Sequence, residues 1–187
     1  METKKSWHGP HSGLDDPGHV FLLGFMGAGK TTVGQALSRL SGRQFVDLDH
    51  WIEENAGTAI KNIFADKGED FFRGLESEAL EAMTQRTRCV VATGGGIVGR
   101  PRNWELMRRL GMTVYLKNDW ETIVARIADC PDRPLVTGQT LDGLRALFEQ
   151  RQPLYEQADL CVVVKEQDPH EIARAIMEML AGEVRRG

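Results

Sequence analysis

One octapeptide restricts the possible folds of this chain more than any other segment. Gly24-Phe25-Met26-Gly27-Ala28-Gly29-Lys30-Thr31 fits G-x-x-x-x-G-K-[ST] without a mismatch. It follows the apolar run Val20-Phe21-Leu22-Leu23. It opens a stretch in which Val33, Ala36, Leu37 and Leu40 recur at helical spacing, with Gly42 as the stop. A strand, a glycine turn and a helix in that order form a cradle for phosphate. The glycines permit backbone angles closed to other residues, so consecutive N–H groups point inward, and the helix contributes the positive end of its dipole. Gly27, Ala28 and Gly29 supply the turn, Lys30 a charge for β- and γ-phosphates, and Thr31 a hydroxyl for Mg²⁺, with Thr32 next in the same ATP-binding set.

The remaining sequence repeats the alternation. Short apolar runs at Phe45–Leu48, Cys89–Ala92, Thr113–Leu116 and Leu160–Val164 read as strands. Helical patterns are expected at 50–56, 59–66, 69–85, 103–110, 120–128 and 141–151, and in a last helix with Ile172, Ile176, Met179 and Leu180 on one face. Continuous apolar strands separated by helices imply an α/β fold with a five-stranded parallel sheet covered on both faces. Ligands of such sheets gather at the carboxyl ends of the strands. Residues 1–18 show no periodicity and read as a flexible extension, with 19–187 as one domain. His8, His11 and His19 lack paired ligand spacing and read as part of that polar tail.

Composition excludes some functions. With 23 basic and 27 acidic residues, a formal net charge of -4 and no basic block, the chain is not expected to bind nucleic acid. No apolar run is long enough to span a bilayer, and the N-terminus has no apolar signal core. Cys89, Cys130 and Cys161 have no zinc spacing; Cys89 and Cys161 read as small buried hydrophobes, which suits a reducing cytoplasm. Without a coiled-coil pattern, a monomer is expected.

Other candidates cluster near strand ends. If the second strand runs on through Asp49, Asp47 and Asp49 share one face; alternatively Asp49 caps the following helix. Gly94-Gly95-Gly96 ends the third strand, where backbone can approach a small ligand closely. Arg73 lies in Phe72-Arg73-Gly74-Leu75-Glu76, Arg133 in the stiff Arg133-Pro134-Leu135 loop, and Arg151 in Arg151-Gln152-Pro153-Leu154-Tyr155. Taken singly, each arginine reads as a surface charge.

Together, in this order and spacing, these segments resemble the shikimate kinase family from about Val20 onward. The resemblance implies a three-layer P-loop kinase fold with a mobile lid at about 129–139 and a substrate-binding region at about 49–80. It implies transfer of the ATP γ-phosphoryl group to the 3-hydroxyl of shikimate, in chorismate and aromatic amino-acid biosynthesis. Lys30 would hold phosphate, Thr31 and Asp47 would serve the metal, and Asp49 would engage the acceptor hydroxyl as candidate base. Arg73 and Arg151 would grip the carboxylate, with Gly94, Gly95 and Gly96 lining the acceptor. Arg133 would close with the lid, Arg126 would lie near adenine, and Gln167 is the expected adenine-side residue near the C-terminus. Another small P-loop kinase, acting on gluconate or a nucleoside monophosphate, is the alternative; a nucleotide-binding module without catalysis is a second.

Overall fold

The computed structural model of the chain describes residues 18–128, 140–165 and 167–184. β1 (His19–Leu23) is central in a five-stranded sheet of order β2-β3-β1-β4-β5 in which every pairing is parallel. β2 (Gln44–Asp47) and β3 (Cys89–Ala92) lie on one side, β4 (Gly111–Lys117) and β5 (Leu160–Val163) on the other. All five β1 residues are buried, which is why that strand reads as unbroken apolar sequence rather than as an alternation.

Seven helices connect the strands among the described residues: α1 (Lys30–Ser41), α2 (Leu48–Ala56), α3 (Ile60–Ala82), α4 (Pro101–Leu110), α5 (Trp120–Ala128), α6 (Leu141–Tyr155) and α7 (Pro169–Val184). The chain leaves β1 in one direction to reach β2 and later passes β1 in the other to reach β4. Right-handed crossovers in opposite directions place their helices on opposite faces. So α1, packed on α7, covers one face, and α3, packed on α4, the other. This reversal of strand order opens a crevice at the carboxyl ends of β1 and β3. Gly34 brings α1 down onto the sheet; a Cβ there would stand 2.6 Å from Phe45 Cε2 and 3.2 Å from Leu22 Cδ1.

Several expectations change. β2 stops at Asp47, and Asp47, not Asp49, caps α2, accepting hydrogen bonds from the Asp49 and His50 N–H groups. The two acids therefore do not share a strand face. The two expected helices at 59–66 and 69–85 hold as two segments of α3, separated at Gly68, whose φ of 80 and ψ of 177 are not helical and suit glycine. α4 begins at Pro101, where a missing N–H costs nothing in the first turn. α6 runs through Pro153 to Tyr155 instead of ending before the proline. Tertiary packing overrides that local penalty, since Tyr155 is buried and stacked on Tyr115 with ring centroids 5.2 Å apart.

Two residues sit in environments other than those read from sequence. Cys89 is buried, but Cys161 is exposed, because β5 is an edge strand that buries only alternate residues. His19 is no part of a polar tail. It is 3% exposed in β1, its Nδ1 accepts from Cys89 N–H at 3.1 Å and its Nε2 lies 3.1 Å from the Met83 carbonyl. That pairing assigns the proton to Nε2. Residues 1–17 of the expected extension, the expected lid at about 129–139 with Arg133 and Cys130, and residues 166 and 185–187 lie outside the described residues.

Gly74 sits within α3 with nothing within 4 Å of where a Cβ would lie, and its φ is not positive. Gly74→Ala should therefore stabilise the fold by about 0.5–1 kcal/mol in urea unfolding. Gly68→Ala, equally uncrowded but at positive φ, should destabilise it. A lowered midpoint for Gly74→Ala would show that the glycine is required by the packing of α3.

Candidate active site

The crevice at the strand ends is a cleft of about 870 Å³. One wall is the P-loop. Gly24, Gly27 and Gly29 take φ values of 149, 77 and 89, angles that only glycine adopts readily. Gly29 caps α1 without any side-chain hydrogen bond, and no acid of α1 itself lies in its first turn. The Lys30 Nζ donates to the Gly24 and Phe25 carbonyls at 2.8 and 3.0 Å, which lays its charge along the loop.

Thr31 Oγ1 donates to Asp47 Oδ2 at 2.8 Å, joining the start of α1 to the end of β2. A hydroxyl and a carboxylate are hard oxygen donors. They fit Mg²⁺, which is typically bound by one or two protein groups together with phosphates and water. Among the described residues there is no group of three or more His, Cys, Asp or Glu that could hold a metal by itself. Arg126 reaches under the loop, donating to Gly27 O at 3.2 Å and Asn118 Oδ1 at 3.1 Å. Buried Asn118 in turn donates to Ala28 O at 3.4 Å and Leu116 O at 3.1 Å. Sequence reading passed over Asn118, since a single Asn after a strand carries no motif.

The opposite wall holds the acceptor candidates. Asp49, Arg73, Gly94, Gly95, Gly96 and Arg151 all line the same cleft as the P-loop, together with Thr32 and Arg126. Arg73 donates to Glu76 Oε2 at 2.7 Å and to Glu69 Oε1 through Nη2 at 2.7 Å and Nε at 3.1 Å. Burial works against its charge, but Glu76 and Glu69 outweigh burial and leave its pKa raised. Gly94 and Gly96 are small for a steric reason: a Cβ on Gly94 would overlap the Glu76 and Asp49 carboxylates, and one on Gly96 would overlap the Arg73 guanidinium.

Glu76 is a site residue that sequence reading did not single out. It is 1% exposed, and its Oε1 has no hydrogen-bond partner among the described residues. Burial raises its pKa, opposed by Arg73 and Arg151 and helped by Asp49. The signal was its position: Phe72, Glu76, Ala79, Leu80 and Met83 are all buried, so Glu76 interrupts an apolar stripe at helical spacing. Gln167 lies apart. It is exposed after β5, its Oε1 accepting from Lys165 N–H at 3.4 Å, while Val164, Pro169 and Ile172 supply the cleft wall there.

A family model described as shikimate kinase matches residues 26–181. The chain belongs to the shikimate kinase family. The shikimate kinase of Microcystis aeruginosa is 44% identical over 160 residues, covering 84% of each chain. Among solved structures, shikimate kinase from Acinetobacter baumannii in complex with shikimate has a TM-score of 0.84 at 36% identity, covering 88% of this chain and 93% of that one. A gluconokinase from Sinorhizobium meliloti has a TM-score of 0.59 at 20% identity, covering 92% of this chain and 94% of its own, and shares the fold alone. No helix among the described residues is long and apolar enough to cross a membrane.

Asp47 has two separable roles in this member of the shikimate kinase family, helix cap and partner of Thr31. Asp47→Ala should cost about 1 kcal/mol of unfolding free energy, whereas Asp47→Asn, an equally good cap, should stay within a few tenths. Chemical denaturation of the two variants side by side checks this. Equal losses would mean that the Thr31 contact, rather than the cap, carries the stabilisation.

Proposed function

We propose that this chain transfers the γ-phosphoryl group of ATP to the 3-hydroxyl of shikimate, giving shikimate 3-phosphate and ADP. The observation that carries this reading is the meeting of two halves in one cleft. A phosphate cradle stands on one wall, and acids and arginines suited to a hydroxylated carboxylate stand on the other. The family relationship supplies the acceptor's identity.

In the proposed reaction the Gly27–Thr32 segment and Lys30 hold the triphosphate. Thr31 and Asp47 hold Mg²⁺, which when bound neutralises phosphate charge. Arg73 and Arg151 receive the acceptor carboxylate, a planar fork meeting a planar anion. The acceptor exchanges into the ion pairs that Arg73 makes with Glu69 and Glu76, so the guanidinium is already positioned. Asp49 orients the 3-hydroxyl and accepts its proton as the oxygen–phosphorus bond forms and the bond to ADP breaks. The hydroxyl-rich ring also offers a donor to Glu76 Oε1, whose lack of a partner among the described residues otherwise goes unanswered. Arg126 steadies the loop at the adenine side, Val164, Pro169 and Ile172 rather than Gln167 offer the cleft wall beside it, and Arg133, in the lid expected at about 129–139, would close over the phosphates. The reading carries with it a place in chorismate and aromatic amino-acid synthesis, and a cytoplasmic monomer.

Phosphoryl transfer asks the protein mainly for positioning and charge, and both are present in the cleft. The test is ADP release with Mg²⁺ and ATP against a panel of shikimate, gluconate, nucleoside monophosphates and no acceptor. Turnover should require shikimate; stimulation only by gluconate or a nucleotide would favour the other small kinases. Asp49→Asn should lower kcat by at least about a hundredfold, the usual share of a general base, with ATP affinity retained. Loss of ATP affinity instead would assign that acid to the metal.

A further inference from the structure

The Gly94–Gly96 turn is held from behind by a residue that does not line the cleft. Tyr155, the last residue of α6, donates its hydroxyl hydrogen to the Gly95 carbonyl at 2.5 Å. It is 1% exposed, and its ring stacks on Tyr115 of β4 with centroids 5.2 Å apart and planes at 22°. Burial raises the pKa of that hydroxyl, opposed by the charge of Arg151, one helical turn earlier on α6. One buried hydroxyl thus ties the glycine turn after β3 to α6, the helix that also carries Arg151.

The chemistry of the peptide makes this contact directional. No cis peptide occurs among the described residues. In a trans peptide the carbonyl of one residue and the N–H of the next point in opposite directions. Fixing the Gly95 carbonyl toward Tyr155 therefore fixes the Gly96 N–H away from it. Glycine backbone has the widest choice of angles of any residue, so three in succession would not hold a direction unaided. Gly95 is also where the two turns come near each other: a Cβ there would stand 3.6 Å from Gly24 O and 3.6 Å from Met26 N, an ordinary van der Waals distance that leaves the P-loop undisturbed.

We propose that Tyr155 is a positioning residue for the acceptor, which sets the direction of the Gly95–Gly96 peptide and ties that turn to the helix carrying Arg151, so that the contacts for ring hydroxyls and for carboxylate keep a fixed separation. This rests on the functional reading above and names a residue that acts on the substrate through others. Removing the hydroxyl frees the glycine turn from the helix that carries Arg151 while leaving the P-loop and Lys30 untouched. The expected consequence falls on the acceptor and not on the nucleotide.

The test is Tyr155→Phe, which keeps the ring stacked on Tyr115, beside Tyr115→Phe, which removes a hydroxyl from the other ring of the stack. Steady-state kinetics with shikimate and ATP varied separately and thermal unfolding are measured for both variants and for the unaltered chain. Tyr155→Phe should raise the shikimate KM about tenfold, the effect of one lost buried hydrogen bond. Its ATP KM should stay within about twofold, and Tyr115→Phe should leave both constants near the unaltered values. An unchanged shikimate KM in Tyr155→Phe, or a parallel rise in both KM values with a lower melting temperature, would overturn the proposal by showing a purely structural role. Absence of shikimate-dependent turnover in the unaltered chain would instead bring down the functional reading, and this inference with it.

Discussion

The pairing of β1 with β3 sets the geometry of everything at the mouth of the sheet. Leu22 is in register with Ala92, and the Thr93 hydroxyl donates to the Leu22 carbonyl at 2.9 Å. The two strands therefore end side by side. Each gives way to a glycine turn, Gly24 onward after β1 and Gly94 onward after β3. The turns come together at Gly95, where a Cβ would stand 3.6 Å from Gly24 O and Met26 N. A phosphate cradle and an acceptor wall are thereby joined by adjacent backbone, not by mobile side chains. Such backbone is what in-line transfer between two bound molecules needs.

Around that seam the polar side chains hold one another in place. Arg73 is held by Glu69 and Glu76, and Thr31 by Asp47. Burying a carboxylate such as Glu76 is costly unless it is paired, and only one of its two oxygens is matched by Arg73. The fold tolerates this where an acceptor rich in hydroxyls would supply donors. The glycines at 94 and 96 belong to the same arrangement, because the space their side chains would fill is taken by Glu76, Asp49 and Arg73.

Much of the fold was legible in the chain itself. β1, α1 and the stop at Gly42 follow from an apolar run, a glycine block and helical spacing, all short-range signals. The α2 start was misplaced because Asp47 and Asp49 are equally good caps by type, and only the end of the β2–β3 ladder, at Asp47 paired with Ala92, selects between them. α6 passes through Pro153 because burial of Tyr155 outweighs a local penalty that sequence reasoning counts in full. Cys161 faces outward because β5 is an edge strand, and strand order is not written in a strand's own composition.

The sequence by itself determined that a P-loop opens the first helix, that the sheet is parallel, and which arginines, acids and glycines are candidates for a site. Those are matters of residue type, spacing and periodicity, which act over a few residues. Only the tertiary structure decided that Asp49, Arg73, Gly94–Gly96 and Arg151, though far apart along the chain, face one cleft with Lys30. It alone made Glu76 a buried site acid and Tyr155 the anchor of the glycine turn. The reason is that burial and hydrogen-bond partnership are properties of neighbours in space. Strand order and helix packing choose those neighbours.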